Sequence, residues 1–488
     1  MGHKHPERPL VSRREFLRRS AVVGAAAAGG AMLAGGQFQG LVTRQVLAAG
    51  GGRPTQAKKG QGGYGNLRPI TRTDHATNDT LTLLLPEGFD FVHFGLAGTT
   101  MTDGHLTPLG HDAMAAFPGP DGTTRLVRNH EDRNVARLST PSGSAAKRYD
   151  QRGGGGTSTL QVRTLPDGRR VLEKDFMSLS GTIVNCAGGA TPWGSWLTCE
   201  ETTEGRVVGA RLENHGYVFE VPSMLDGEVD SVPLKEMGRM VHEAAAVDPR
   251  TGIVYLTEDR RSAGLYRFVP KQPGHLAQGG RLEMLAVSRQ PRYDAGTGQQ
   301  RSQPLPIEWV LVEDPDPSSA ELNPGAVFKQ GYSKGGARFA RLEGCWWDGD
   351  SLYFCSTSGG DAGEGQIWEY RAAESSGGQL VLVFESPGAG VMSFPDNITV
   401  SPRGALVVCE DPLANDFHRL IGVTHDTRTF ELCHTEQGVE WAGATFAPDG
   451  RTLFANLQGS TDGNVGLRGT FEPGRTVAIW GPWNLGAL

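Results

Sequence analysis

Long helical and membrane-spanning segments are what this sequence most clearly lacks. Apolar residues at helical spacing are nearly absent along its 488 residues, which argues against a helical fold class. A weakly apolar run over residues 21–36 is too short and too rich in glycine for a stable membrane span. Short alternating segments such as residues 253–256, together with 69 glycines, indicate a mostly β protein.

The sequence also has no excess of basic residues. Lys and Arg number 47 against 54 Asp and Glu, which gives a net charge of −7. Residues 1–48 contain seven Lys/Arg and two Asp/Glu, so their removal lowers the net charge by five, to −12. An acidic exported chain has no evident reason to bind nucleic acid, and we expect no such partner.

The first residues predict export. Residues 12–17, Ser-Arg-Arg-Glu-Phe-Leu, match a twin-arginine signal, and a small-residue cleavage pattern ends at Ala48. We expect a signal peptide at residues 1–48, read by the twin-arginine export machinery, then a flexible segment at 49–74 and a single domain at 75–488. The mature protein is expected in the periplasm or outside the cell, as a monomer without a membrane span.

Cysteine is scarce, at six residues. Three disulfides would be possible in an exported chain, but the twin-arginine route exports proteins that have folded in a reducing compartment. We therefore expect few bridges, with Cys345–Cys355 as the candidate, and at least one free thiolate.

A repeated unit organises the chain. In five copies a glycine lies six residues before a polar residue, with a short apolar strand between them; the glycines are Gly194, Gly252, Gly349, Gly404 and Gly450. A residue able to bind a metal lies six to ten positions before each glycine: Cys186, Glu243, Glu343, Asp396 and Glu440. A turn separates these residues from the strand, so each unit reads as a strand, a tight turn and a second strand.

A sixth, looser copy begins at Gly122 and ends in Asn129-His130-Glu131. Six units predict an all-β fold, a six-bladed β-propeller with long insertions, of which residues 270–335 form one. The innermost strand of each propeller blade lines a central channel, so ligands distant in sequence can converge there.

Paired acids end three of the strands: Glu200-Glu201, Glu258-Asp259 and Glu410-Asp411. Adjacent carboxylates repel each other unless a cation or solvent lies between them. Each pair alone could be a solvated edge strand protected by charge, but three copies at one position of a repeat favour calcium binding.

Five segments together resemble the PhoX-type alkaline phosphatase family: Asn129-His130-Glu131, residues 185–201, Arg341-Leu342-Glu343, Pro395-Asp396-Asn397 and Glu440-Trp441. The resemblance covers nearly all of the predicted mature chain. It implies an exported six-bladed propeller that binds two iron ions and several calcium ions and hydrolyses phosphate monoesters.

The resemblance also implies a ligand set. Cys186, Glu243 and Glu343 would hold iron. Further oxygen ligands would hold calcium: Glu131, Glu200, Glu201, Glu258, Asp259, Asp396, Asn397, Glu410, Asp411 and Glu440. A thiolate among hard carboxylates is consistent with a mixed iron and calcium site, although a buried apolar cysteine is the commoner fate. His130 and His242 are either ligands or hydrogen-bonded structural residues.

Arg341 is the candidate for binding substrate. It stands two residues before Glu343, and on a strand the two side chains would share a face. A guanidinium can hold phosphate through two parallel hydrogen bonds. Arg341 and the two implied iron ligands Glu343 and Cys186 are therefore the predicted catalytic group. The alternative is a structural ion pair between Arg341 and Glu343.

A serine-hydrolase motif competes with this interpretation. Residues 331–335, centred on Ser333, match the nucleophile elbow, but that motif needs a strand followed by a helix and the residues after it read as a strand. We therefore expect a metal-dependent phosphatase acting on small phosphorylated substrates. The alternatives are a calcium-dependent propeller phosphodiesterase or lactonase, and a non-catalytic propeller that calcium stabilises.

Overall fold

The computed structural model describes residues 56–373, 377–412, 418–435, 439–461 and 472–488. The chain divides at Gly51, and the fold below is that of the unit from Gly52 to Leu488. The predicted signal peptide lies outside the described residues. Among the described helices none is both long enough and apolar enough to cross a membrane.

The described chain begins with a hairpin. Its strands are β1 (Leu67–Asp74) and β2 (Asp79–Pro86), followed by β3 (Asp90–Phe94). Residues 67–74, expected to lie within a flexible segment, therefore form a strand. Its backbone pairs with β2 over its whole length, and β2 in turn contacts the fifth sheet described below, so these strands extend that sheet.

The remaining strands form six antiparallel groups, called sheets below, of which the third and fourth are joined edge to edge into one nine-stranded sheet. The first contains β4 (His111–Pro118), β5 (Thr124–His130), β6 (Gly155–Thr164) and β7 (Arg170–Thr182). The second contains β8 (Asn185–Ala190), β9 (Ser195–Glu200) and β10 (Val218–Pro222). The third contains β11 (His242–Val247), β12 (Val254–Glu258), β13 (Tyr266–Pro270), β14 (Gly280–Val287) and β15 (Leu305–Leu311).

The helix α1 (Ala326–Ser333) precedes the fourth sheet, which contains β16 (Leu342–Asp348), β17 (Ser351–Ser356), β18 (Gln366–Ala372) and β19 (Gly378–Glu385). The fifth contains β20 (Pro395–Val400), β21 (Leu406–Glu410), β22 (Arg419–Val423) and β23 (Thr429–His434). The sixth contains β24 (Trp441–Phe446), β25 (Thr452–Leu457) and β26 (Arg475–Trp480), to which β3 adds as the outer strand. Short 3-10 turns lie at Pro120–Gly122, Lys235–Met237, Leu276–Gln278 and Trp483–Leu485.

The repeated glycines explain the hairpins that open the sheets. All six, from Gly122 to Gly450, have φ between 60° and 88°, a left-handed conformation that glycine adopts without a steric penalty. Each one ends the tight turn between the first and second strands. The spacing seen in the sequence is thus the spacing of a structural turn.

The first strands of the six sheets form a closed ring. β4, β8, β11, β16, β20 and β24 contact one another in that order, and β24 returns to β4. β3 pairs with β26, so a strand from near the start of the described chain completes the last sheet. The prediction of an all-β propeller is confirmed. The count of six blades stays a prediction, which this ring of strands supports.

The core lies between neighbouring sheets. Small buried residues on first strands, such as Ala187, Ala244 and Ala246, let the sheets approach closely near the axis. Larger buried residues on the next strands, such as Trp196 and Phe219, belong to the same core and fill the wider space farther out. Packing therefore fixes each first strand relative to its neighbours around the channel.

The structure decides the expected disulfide. All six cysteines are free, so the predicted Cys345–Cys355 disulfide is wrong. Cys345 pairs with Phe354 across β16 and β17, and adjacent residues on a strand point to opposite faces, so Cys355 points away from Cys345.

The stretch 270–335 joins two sheets as well as forming an insertion. It supplies the outer strands β14 and β15, and β15 pairs with β19 of the fourth sheet. Ser333 ends helix α1, where its hydroxyl donates to the carbonyl of Gln330. A helix thus precedes this serine, whereas a nucleophile elbow requires a helix after it.

Candidate metal centre

A β-bulge near the start of each first strand supplies most of the candidate ligands. In all six sheets the pairing of the first and second strands shifts by one residue there. A bulge leaves a residue unpaired and redirects its side chain. In five sheets the first residue of the bulge is a candidate ligand: Asp112, Cys186, Glu243, Glu343 and Asp396. In the sixth sheet Gly443 takes that place, and Glu440 lies just before the strand.

These side chains meet in one chain of groups, which we call the acidic cluster. It consists of four sets, in each of which the candidate ligand atoms lie within 4.8 Å of one another. The sets are Asp112–Glu131–Cys186, Cys186–Glu201–Glu243, Glu243–Glu343–Asp396 and Asp396–Asp411–Glu440. Shared members join the sets, so all five ligands predicted from the repeat lie in one cluster.

The structure separates the members of each acidic pair. Glu201 and Asp411 belong to the cluster, whereas Glu200 and Glu410, one residue earlier, do not. Asp259 contacts the cluster through Arg341, which bonds both Asp259 and Glu343. Successive side chains of a strand point to opposite faces, which is why only the second acid of each pair reaches the channel.

Glu200 is saturated by its own sheet and the loop that follows. Its carboxylate accepts hydrogen bonds from the backbone N–H groups of Ile183, Gly216 and Tyr217, at 2.9–3.2 Å. Nδ1 of His215 lies 2.6 Å from Oε1 of Glu200. Burial alone would lower the pKa of His215, but Glu200 and Asp150 raise it to about 9. Glu200 therefore stabilises a buried charged histidine.

Glu258 and Glu410 have partners of the same kind. Glu258 accepts from the hydroxyl of Tyr266 at 2.7 Å and from the N–H of Gly264 at 3.1 Å. Glu410 accepts from Arg419 at 2.5 Å and 2.8 Å and from the N–H of Ser393 at 2.7 Å. Both contacts of Glu258 fall on Oε2, and its Oε1 is buried without a hydrogen-bond partner.

The remaining predicted residues lie beside the cluster. Asn397 is buried and is the second residue of the bulge that begins at Asp396. His130 bonds the hydroxyl of Ser158 at 2.8 Å, and His242 bonds the carbonyl of Gly238 at 2.8 Å. Both histidines therefore have structural hydrogen bonds within the fold.

The electrostatics of the acidic cluster favour protonated carboxyl groups or bound cations over free carboxylates. Burial raises the pKa of Glu243 and Glu343 well above the usual range, and neighbouring carboxylates raise both further. Burial likewise raises the pKa of Asp396 to about 7. Oε2 of Glu243 and Oδ1 of Asp396 are buried without a hydrogen-bond partner. Ligand oxygens left in this state fit the coordination of metal ions.

Cys186 lies in the same buried, acidic surroundings. Its Sγ lies 3.4 Å from Oε1 of Glu243. Burial, then the neighbouring Asp112 and Glu243, raise the pKa of the thiol well above its usual value. A coordinated metal deprotonates such a thiol, so the donor set fits a metal that accepts sulfur as well as oxygen.

Two arginines touch the cluster from positions that solvent reaches. Arg341 has φ 52° and lies just before β16, where the sequence had placed it on a strand. Its Nε and Nη2 donate to the two carboxylate oxygens of Asp259 at 2.9 Å and 2.8 Å, and Nη2 also donates to Glu343 at 2.7 Å. Arg133 pairs with Glu131, and its Nη2 lies 2.5 Å from Oε2 of Glu201.

The sequence patterns did not indicate two residues of this site, Asp112 and Arg133. Asp112 lies ten residues before Gly122, the spacing that Glu440 has to Gly450, so the repeat itself carried the signal. Arg133 belongs to no repeated position. It follows the looser first copy of the unit, and only folding brings it against Glu201 of the next sheet.

The comparison with known families decides the relationship. The profile of the family described as alkaline phosphatase PhoX matches residues 69–461. The chain belongs to the PhoX alkaline phosphatase family. The resemblance seen in the sequence is confirmed, and the PhoX match supports a metal-dependent phosphatase over the alternatives.

A solved PhoX structure shares the fold of this chain. Pseudomonas fluorescens PhoX, solved in complex with vanadate as a transition-state analogue, matches with a TM-score of 0.64 at 18% identity, covering 88% of this chain and 99% of that one. A gluconolactonase from Xanthomonas campestris gives a TM-score of only 0.37 at 12% identity, covering 89% and 98%. No curated protein matches the chain.

Proposed function

We propose that this PhoX-family chain hydrolyses small phosphate monoesters at the acidic cluster. The observation that carries the proposal is a buried set of carboxylates and one thiol with unpartnered oxygens, touched by two partly exposed arginines. A phosphate monoester is an anion with several oxygens, so it needs cations and guanidinium donors together.

The ligands divide by donor chemistry. Cys186, Glu243 and Glu343 would hold two iron ions, because the thiol is the soft donor of the cluster. The remaining oxygen donors of the channel would hold calcium: Asp112, Glu131, Glu201, Asp259, Asp396, Asn397, Asp411 and Glu440. Glu200, Glu258 and Glu410 leave the proposed set because none of them belongs to the acidic cluster, and hydrogen bonds already occupy both oxygens of Glu200 and Glu410. When bound, the cations would neutralise the phosphoryl oxygens and activate water as the nucleophile.

Arg341 would orient the substrate. Its side chain is 34% exposed, so a phosphoryl group arriving from solvent can reach the guanidinium. The same two donors that now form a parallel fork on Asp259 match two phosphoryl oxygens. The hydrogen bond to Glu343 would hold the guanidinium beside the cluster while the fork passes from Asp259 to the phosphoryl group.

Replacing Arg341 tests this function. Arg341→Ala should lower kcat for p-nitrophenyl phosphate about a hundredfold, a typical loss for one preorganised contact to a transition state. Arg341→Lys should restore part of that loss, because lysine offers a point charge without the planar fork.

Ser333→Ala is the matched control and should keep wild-type activity. Activity that survives the arginine change but disappears with the serine change would contradict the proposal in favour of a serine hydrolase. Wild-type protein with no activity on any phosphate ester would favour a binding propeller.

We further propose twin-arginine export, a monomeric mature protein and a periplasmic or extracellular location. Residues 12–17 support the export route. Elemental analysis of the exported, folded protein tests the metals: iron and calcium together support the ligand division above, and calcium alone contradicts it.

A further inference from the structure

Arg133 faces the acidic cluster on one side and solvent on the other. It follows β5 by three residues, and its backbone N–H donates to the carbonyl of Thr461 at 2.9 Å. The guanidinium pairs with Glu131 and Glu201, yet the side chain is 47% exposed. A ligand entering the channel can therefore reach this group.

Arg133 and Arg341 contact the same part of the acidic cluster. Arg133 bonds Glu201, and Arg341 bonds Glu343. Glu201 and Glu343 each belong to a set with Glu243, in which the candidate ligand atoms lie within 4.8 Å of one another. The two guanidinium groups thus lie at the ends of one short row: Arg133, Glu201, Glu243, Glu343, Arg341.

We propose that Arg133 is a second substrate-binding arginine, which holds phosphoryl oxygens together with Arg341 across the carboxylates of Glu201, Glu243 and Glu343. This inference rests on the proposed function and deepens it. Two guanidinium groups favour a phosphoryl group that carries two negative charges, so they select monoesters over diesters. The carboxylates that orient Arg133 are the ones proposed to bind cations, and coordination leaves its donors available for substrate.

Equilibrium binding of inorganic phosphate to the metal-loaded full chain tests this role. Arg133→Gln should raise the Kd about tenfold or more, and Arg133→Lys should restore part of the affinity. Metal content and Tm should match those of the wild type. Arg137→Gln is the matched control, an exposed arginine four residues farther along the same loop, and should leave the Kd unchanged.

Hydrolysis provides a separate measurement. Arg133→Gln should lower kcat/KM for p-nitrophenyl phosphate more than for bis-p-nitrophenyl phosphate, because the diester carries one negative charge less. A purely structural residue would not change this ratio.

Three results would overturn the inference. The first is wild-type phosphate affinity in Arg133→Gln, and the second is a wild-type protein that binds no phosphate. The third is a joint loss of metal and Tm in Arg133→Gln that explains its weaker phosphate binding. A wild type that binds phosphate without hydrolysing monoesters would contradict the proposed function, and the ratio of Kd values would still decide the role of Arg133.

Discussion

Asp396→Asn should stabilise the protein without metal and weaken the stabilisation that metals give. Asp396 belongs to two sets of the acidic cluster. It joins Glu243 and Glu343 in one set and Asp411 and Glu440 in the other. Burial, reinforced by Asp411, raises its pKa from 3.8 to about 7. The amide keeps the shape of the carboxyl group and removes its charge.

The sign follows from proton binding. Below pH 3.8 the carboxyl is protonated in both the folded and unfolded chains, so its ionisation costs no stability. As the pH rises to 7 the unfolded chain releases the proton and the folded chain retains it, so folding loses free energy. The difference between the two pKa values corresponds to at most about 4 kcal/mol at pH 8.

Thermal unfolding measures this effect. In chelator at pH 8 the variant should unfold several degrees above wild type, and the gap should shrink as the pH is lowered toward 4. Calcium and iron should reverse the order, because a cation stabilises the charged carboxylate. Asp350→Asn, an exposed aspartate in a turn, is the matched control. A metal-free variant no more stable than wild type at pH 8, or equal stabilisation of both by metals, would refute the reasoning.

Three further outcomes are expected. Cys186→Ala should contain less iron than wild type by elemental analysis. Its circular dichroism should remain that of the folded propeller, because blade packing is spread over the whole chain. Iron retained at the wild-type level would contradict thiolate ligation. His215→Gln should lower the free energy of unfolding most below pH 6.5 and progressively less as the pH rises through 9, because Glu200 stabilises the charged imidazole. Unfolding measured across this pH range tests the effect, and a loss of stability that does not change with pH would rule out a charged His215. Replacing Arg13 and Arg14 together by lysine should leave the protein in the cytoplasm by fractionation, and unchanged export would indicate another route.

The fold was accessible from local sequence because its turns repeat. A glycine that must adopt positive φ marks each first hairpin, and the apolar residues after it alternate as a strand requires. The same spacing located Cys186, Glu243, Glu343, Asp396 and Glu440. The looser first copy concealed Asp112, although its spacing to Gly122 equals that of Glu440 to Gly450.

The channel composition depended on side-chain direction, which the sequence left open. Glu200-Glu201 reads as two equivalent acids, yet one bonds His215 inside its sheet and the other lies in the cluster. Strand alternation directs the two side chains to opposite faces. A sequence read without register therefore assigns both to metal.

The sequence by itself determined the β class, the repeated hairpins and most of the residues that converge, because turn geometry and strand alternation are local properties. Only the tertiary structure decided which acid of each pair reaches the channel and which contacts Arg133 and Arg341 make. Those contacts join residues far apart in the chain, such as Arg133 with Glu201 and Arg341 with Asp259. They exist because the closed ring packs neighbouring sheets together, and no local pattern encodes that distance.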